Sequence, residues 1–276
     1  MTRNPILVSI VLLTALLLLM AVSVSADTLI WGGTYRHGSY FIDPVTGDTS
    51  PSPAGGGVFG ASSSPYSGWV FVASGFNLWK VPATAQGNRV ALGPLDVIDL
   101  AFDASTATLY GIGPGYDLYT VDYSCPDYFC RLTPLGVGFP GLVQGIDFVA
   151  GRGLYGAEIN GTLWLLDPKT LQFSLIGNTG VFGIADLAYD SGTGRLIAAS
   201  VGIKSLCRRQ CLPETGMIWS IDPLTAQSVL LNGNAPPIYG LAEITADPST
   251  ILLFGTGVAG ILVKMRRRLL CSPSLV

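Results

Sequence analysis

The chain has 276 residues, 18 acidic against 15 basic, a single histidine and 49% hydrophobic residues. Five of the basic residues, Arg3, Lys264 and Arg266 to Arg268, lie in the two apolar ends, so the middle carries ten basic against 18 acidic residues, a net charge of −8. An acidic middle excludes a basic face for phosphate, and with it nucleic acid as a partner.

The chain opens with a positive residue, Arg3, and an almost unbroken apolar run from Ile6 to Val22. Val24-Ser25-Ala26 then places small or modest side chains at −3 and −1 of a cleavage site. This order is that of a secretory signal peptide, residues 1–26, with cleavage before Asp27 expected in preference to an uncleaved anchor.

From residue 27 to 245 the sequence is a repeat, which decides the fold before any single motif does. The clearest unit is IDLAFDASTATLYGIGPGYDLYTVD (98–122). It recurs as IDFVAGRGLYGAEINGTLWLLDPKT (146–170), as ADLAYDSGTGRLIAAS followed by GMIWSIDPLT (185–225), and in degraded form as FGASSSPYSGWVFVASGFNLWKVPAT (59–84). Each unit holds three short apolar runs rich in aromatic and β-branched residues, and a fourth follows before the next unit starts. Gly, Asn, Asp and Pro separate the runs, and no helical period is present. These are antiparallel strands joined by tight turns. Asp43-Pro44, Asp167-Pro168 and Asp222-Pro223 each begin a D-P-x-T turn, where Asp bonds the backbone two residues on and Pro pre-sets φ. Three residues before each turn Asp, and before Asp122 in the remaining unit, stands an aromatic (Tyr40, Trp164, Trp219 and Tyr119), expected to pack between neighbouring sheets. Asn160-Gly161 matches a glycosylation acceptor with Thr162, but between two apolar runs it reads as a hairpin turn.

The first unit lacks a first strand, and a matching segment, IYGLAEI (238–244), appears at the other end. A sheet completed by strands from both ends is how a ring of blades removes its open edges. The predicted fold is therefore all-β: a β-propeller of five four-stranded blades, or six if a long loop hides strands. The first blade is 239–244 with 28–53, followed by 57–93, 97–136, 144–180 and 184–232.

Candidate chemistry is sparse. His37 lies in TYRHGSY between two strands, with no acid nearby in sequence, and reads as a loop residue. Asp99, Asp147 and Asp186 are expected to hold the same place at the start of the first strand in three consecutive blades, with Gly60 and Gly240 in the other two. First strands surround the channel, so the three carboxylates form a candidate ligand or metal site at its mouth. Capping of backbone amides between blades is the structural alternative; Ca²⁺ binding and acid/base work are the functional ones. Cys125 with Cys130, and Cys207 with Cys211, are expected to form two local disulfides in an oxidising compartment. A four-cysteine zinc site is less suited to those spacings. Gly255-Thr256-Gly257-Val258-Ala259-Gly260 matches GxGxxG inside the apolar tail, where it reads as small residues of a membrane helix. No nucleophile elbow, HExxH or phosphate loop is present, so no catalytic residue is assigned.

Residues 246–276 close the chain: Ala246-Asp247-Pro248-Ser249-Thr250, an apolar run from Ile251, then Lys264-Met265-Arg266-Arg267-Arg268. The run, taken as a membrane segment over 251–265, is short of the roughly 20 residues of a comfortable span. Lys264 can snorkel, and the arginines hold that end on the cytoplasmic side.

Two resemblances follow from these residues. The unit resembles the short propeller repeats (G-L-A-Y-D-x-x-T-G-x-L-Y-G) of exported bacterial proteins, over nearly all of 28–244. The tail resembles a PEP-CTERM sorting signal, in the order of Asp247, Pro248, Ser249 and Thr250, apolar run and Arg266, Arg267 and Arg268. It departs from that pattern in Ala246 for the first Pro, Asp247 for Glu, and the extension CSPSLV. This likeness implies an exosortase-like processing enzyme as a partner and transient anchoring in the inner membrane through the C-terminal segment. It also implies a final place at the surface, outer membrane or extracellular matrix of a Gram-negative bacterium. The resulting expectation is a non-catalytic propeller, with no cofactor unless Ca²⁺ is held, binding extracellular polysaccharide or a surface protein. A secreted hydrolase or lyase acting on a sugar or lactone at the channel mouth is the alternative.

Overall fold

The computed structural model describes residues 28–35, 38–53, 58–66, 68–83, 88–125, 129–201 and 215–244. The first short apolar runs become β1 (Leu29–Thr34), β2 (Ser39–Ile42) and β3 (Thr49–Ser52). The second group is β4 (Gly60–Ser63), β5 (Trp69–Ser74), β6 (Asn77–Pro82) and β7 (Val90–Pro94). The third is β8 (Asp99–Asp103), β9 (Thr108–Ile112), β10 (Asp117–Asp122) and β11 (Arg131–Gly138). Next come β12 (Val143–Val149), β13 (Gly153–Glu158), β14 (Thr162–Asp167) and β15 (Gln172–Asn178). The last are β16 (Ile184–Asp190), β17 (Arg195–Val201), β18 (Gly216–Ile221), β19 (Ser228–Ala235) and β20 (Ile238–Ile244).

Each of the last four groups is one antiparallel four-stranded sheet in sequence order. The first sheet runs β20-β1-β2-β3, so the strand nearest the C-terminal tail supplies the innermost position of the first blade. The inner strands β4, β8, β12, β16 and β20 touch one another in turn and close a ring. These are the buried strands, as in DLAFD of β8, while outer strands such as β11 are half exposed. The protein is a five-bladed β-propeller.

Each seam between neighbouring blades is filled by its own apolar cluster. Phe71 and Leu78 meet Leu100 and Leu109 at one seam, and Ile30 and Ile42 meet Ile197 and Ile218 at the seam that completes the circle. Burying each such Leu or Ile contributes roughly 1.5–3 kcal/mol, and because every blade packs on two others the ring is stabilised as a unit. The repeated aromatic joins these seams: Trp79, Trp164 and Trp219 pack half-buried against the preceding blade. Their indole N–H groups donate to Ser74 O, Glu158 Oε1 and Ser200 Oγ, each at the end of the second strand of the same blade. Trp79 thus belongs to a series whose turn Asp is absent from its own blade.

The turns carry the expected chemistry. Asp43, Asp167 and Asp222 each accept an N–H from two residues on at 2.8 Å. Four residues after each Asp the chain turns left-handed, at Gly47, Leu171 and Ala226. Gly161 also has positive φ, and Asn160 Oδ1 accepts from Thr162 N, which makes this segment a hairpin turn. Cys125 and Cys130 are disulfide-bonded and buried against the seam of the second and third blades. Cys207, Cys211, His37, residues 1–26 with the expected signal peptide, and everything after Ile244, including Asp247 to Thr250 and the arginines, lie outside the described residues.

Candidate functional site

The sheet register corrects one expectation about the channel carboxylates. Asp99 pairs with Ile112, and Asp186 with Ala199, at equivalent places in their blades. In the fourth blade that place belongs to Gly145, paired with Ala157, while Asp147 pairs with Tyr155 two residues further along. Around the axis one level therefore reads Gly60, Asp99, Gly145, Asp186, Gly240. The reason is space. A Cβ on Gly60 would stand 2.3 Å from Asp99 Oδ1, and one on Gly145 would stand 2.6 Å from the Cα of Asp186. The inner strands approach so closely that side chains are admitted at only two of the five places.

Those two side chains plug the axis. Asp99 and Asp186 are 0% exposed, and Asp147 is 9% exposed. Ile146 N donates to Asp99 Oδ2 at 2.6 Å, while Leu187 N donates to Asp186 Oδ1 at 2.6 Å and Leu241 N to Asp186 Oδ2. Asp147 repeats the pattern one layer lower, accepting from Phe148 N at 2.8 Å and from Tyr189 N in the next blade. Each Asp therefore ties its own strand to its neighbour's, at amides that the diverging inner strands leave unpaired.

Burial dominates the electrostatics. It pushes the Asp99 and Asp186 carboxyls well above the usual range. The two lie within hydrogen-bonding reach of each other, and the charge of Asp99 raises Asp186 further. Asp99 Oδ1 has no N–H partner, so a proton held on Asp186 and shared with Asp99 satisfies it. Asp147 is pushed up to about 7 by burial, against the two amides that favour its charge. Among the described residues no group of three or more His, Cys, Asp or Glu is arranged to hold a metal ion. The oxygens of Asp147 and Asp186 point at N–H groups, a poor field for a cation.

Above this plug the channel opens into a cavity of about 430 Å³, within the range of small-molecule sites. Its walls are the approaches to the inner strands and the turns after the second strands. Val97, Ile98, Ile159, Ile184 and Val201 line it, and Phe59, Phe76 and Phe182 form an aromatic rim. Those three are 49%, 76% and 52% exposed, far more than an apolar side chain at rest in a core. Tyr35 extends the rim, its ring 5.4 Å from that of Phe59. Polar side chains are few: Asp96, Gln144, Ser74 and Tyr239. The Tyr239 hydroxyl is buried and unpartnered.

Phe76 also has a left-handed backbone, as do Tyr116, Leu171 and Ala226 in other turns. It follows Gly75 in the tight turn between β5 and β6, and both have φ of 59°. Gly and Asn suit that left-handed turn, whereas a bulky residue is strained in it. The rim was not visible in the repeat pattern, because its residues sit in connections. The available signal was an aromatic where the turn itself prefers Asn.

No protein-family model matches the chain, and no curated protein matches it in sequence. Among solved structures, a protein of unknown function from Bacteroides caccae aligns over 79% of this chain and 99% of its own, at 9% identity and a TM-score of 0.50. A chain of the nidogen/laminin complex aligns over 80% of this chain and 99% of its own, at 10% identity and a TM-score of 0.49. Glutaminyl cyclase from Myxococcus xanthus aligns over 67% and 69%, at 16% identity and a TM-score of 0.44. At such identities the likeness to the Bacteroides protein is one of fold.

Proposed function

We propose that this protein is an exported, non-catalytic propeller, held at the cell surface or in the extracellular matrix, that binds a ligand at the aromatic mouth. The observation that carries the reading is the separation of two layers. The carboxylates suited to chemistry are sealed below and engaged by amides, while the open cavity above is walled by apolar and aromatic side chains.

Chain topology supports an anchored role. β20 starts at the mouth and ends at the opposite face, where Thr28, just before β1, bonds Asp190. The first and last described residues, Thr28 and Ile244, therefore both lie at the face away from the mouth. Residues 245–250 span at most roughly 20 Å even when fully extended. That is no more than the roughly 23 Å height of a seven-residue strand. A tail fixed in a membrane at residue 251 thus leaves the mouth turned outward. The export signal and the PEP-CTERM-like tail supply the delivery, with an exosortase-like enzyme as the processing partner.

Two measurements test this reading. N-terminal sequencing and fractionation of the full chain in a Gram-negative host carrying an exosortase are expected to show a start at Asp27 and surface exposure. A cytoplasmic chain still beginning at Met1 refutes export. A ligand array run beside a broad hydrolase panel is expected to give binding that Phe182→Ala removes, without turnover. Turnover abolished by Asp147→Asn in a folded protein refutes the binding reading.

A further inference from the structure

Resting on the mouth as the ligand site, we infer that it takes an organic cation: an ammonium group borne on an aromatic or alkyl body. Two features of the cavity converge on that chemistry.

The first is the rim itself. Phe59, Phe76 and Phe182 line it with exposed aromatic side chains, a ring quadrupole attracts a weakly hydrated cation, and no basic residue lines the cavity among the described residues. The second is Asp96, which lines the same cavity and has no salt-bridge or hydrogen-bond partner among the described residues. A carboxylate beside aromatic faces in an acidic protein repels anions and lacks a counter-ion of its own.

A glycan fits these walls poorly. A sugar presents hydroxyls all round, and against Val97, Ile98, Ile159, Ile184 and Val201 they lose water and find no partner. An apolar body with one charged end suits walls of this kind, its body in the cavity and its charge at Asp96. Phe76 adds to this by its exposure of 76%, an aromatic side chain left open at the cavity.

The test compares three isosteres by ligand-observed saturation-transfer NMR and calorimetry on the purified full chain: phenethylammonium, neutral 2-phenylethanol and anionic phenylacetate. The inference expects phenethylammonium to bind about tenfold more tightly than 2-phenylethanol and phenylacetate not to bind. Asp96→Asn is expected to erase that preference while leaving 2-phenylethanol unchanged, and Phe76→Ala to weaken all binding. Asp96 and Phe76 are exposed, so both variants should melt close to the parent. Equal binding of the charged and neutral probes, unaffected by Asp96→Asn, overturns the cation while leaving an apolar mouth. Binding of an oligosaccharide that Phe76→Ala abolishes, with no binding of phenethylammonium, overturns it in favour of a glycan site. Probe binding indifferent to both Phe76→Ala and Phe182→Ala overturns the mouth reading as well.

Discussion

Replacing Asp147 by Asn isolates the effect of the lower buried carboxylate on stability. In the unfolded chain this carboxyl titrates near 3.8, and in the fold burial raises it to about 7. Between those values the folded protein holds a proton that the unfolded chain has released. The contribution is therefore complete below about pH 4 and is lost as the pH rises through about 7. At about 1.4 kcal/mol for each factor of ten in proton affinity, the rise amounts to roughly 4 kcal/mol. Asn keeps the shape and one acceptor oxygen but does not titrate. Its NH₂ faces one of the amides of Phe148 and Tyr189, costing about 1–3 kcal/mol at all pH values. Urea unfolding at half-unit steps from pH 4 to pH 8 gives stability curves for parent and variant. Their difference is expected to change by several kcal/mol, with the variant gaining relative to the parent as pH rises. Parallel curves across that window would refute the buried-acid account. Asp99, Asp186 and Glu243 are raised by burial too and are present in both proteins; the charge of Asp147 adds to the rise at Asp99, and Glu243 to that at Asp147, so the difference also contains these couplings.

Three further outcomes follow from the same geometry. Gly145→Ala forces a Cβ against the backbone of Asp186 at 2.6 Å, so chemical denaturation should show a loss of about 3 kcal/mol; a loss below 1 kcal/mol would mean that the ring is looser than described. Replacing Cys125 and Cys130 together by Ser opens a loop with a sequence separation of 5; the expected loss is about 2 kcal/mol, or roughly 4–8 °C in calorimetry. Millimolar Ca²⁺ added to metal-free protein should leave the melting temperature unchanged, because amide N–H groups occupy both oxygens of Asp147 and of Asp186, and a clear rise would establish a cation site.

The blades were legible because each strand reports itself locally. Short β-branched and aromatic runs, D-P-x-T turns and the Asn160-Gly161 hairpin are set by neighbours in sequence, and closure followed from a first blade that lacked its inner strand. The level of Asp147 was not legible from its shared Ile-Asp dipeptide. Asp99 and Asp186 stand ten residues before Leu109 and Leu196, whereas Asp147 stands seven before Leu154. Counting back from the second strand would have revealed the slip, since that strand is what fixes the register. The mouth was harder still. Phe59, Phe76, Asp96 and Phe182 come from separate connections, and only ring closure brings them to one cavity.

Tight closure also separates fold from function along the axis. With five blades the inner strands leave room for two carboxyls and no open passage, so ligand chemistry is confined to connections that the seams do not depend on. Phe76 tests this division. At φ of 59° a Phe is strained where Asn is at ease, and its ring is 76% exposed in the free protein. Phe76→Asn relieves that strain and loses almost no packing, so unfolding stability should rise by about 0.5–1 kcal/mol. The same change should weaken phenethylammonium binding severalfold, because one face of the rim is gone. Thermal denaturation and calorimetry on a single preparation measure both effects. A variant that is less stable than the parent would show that Phe76 serves the fold, and the division between plug and mouth would fail.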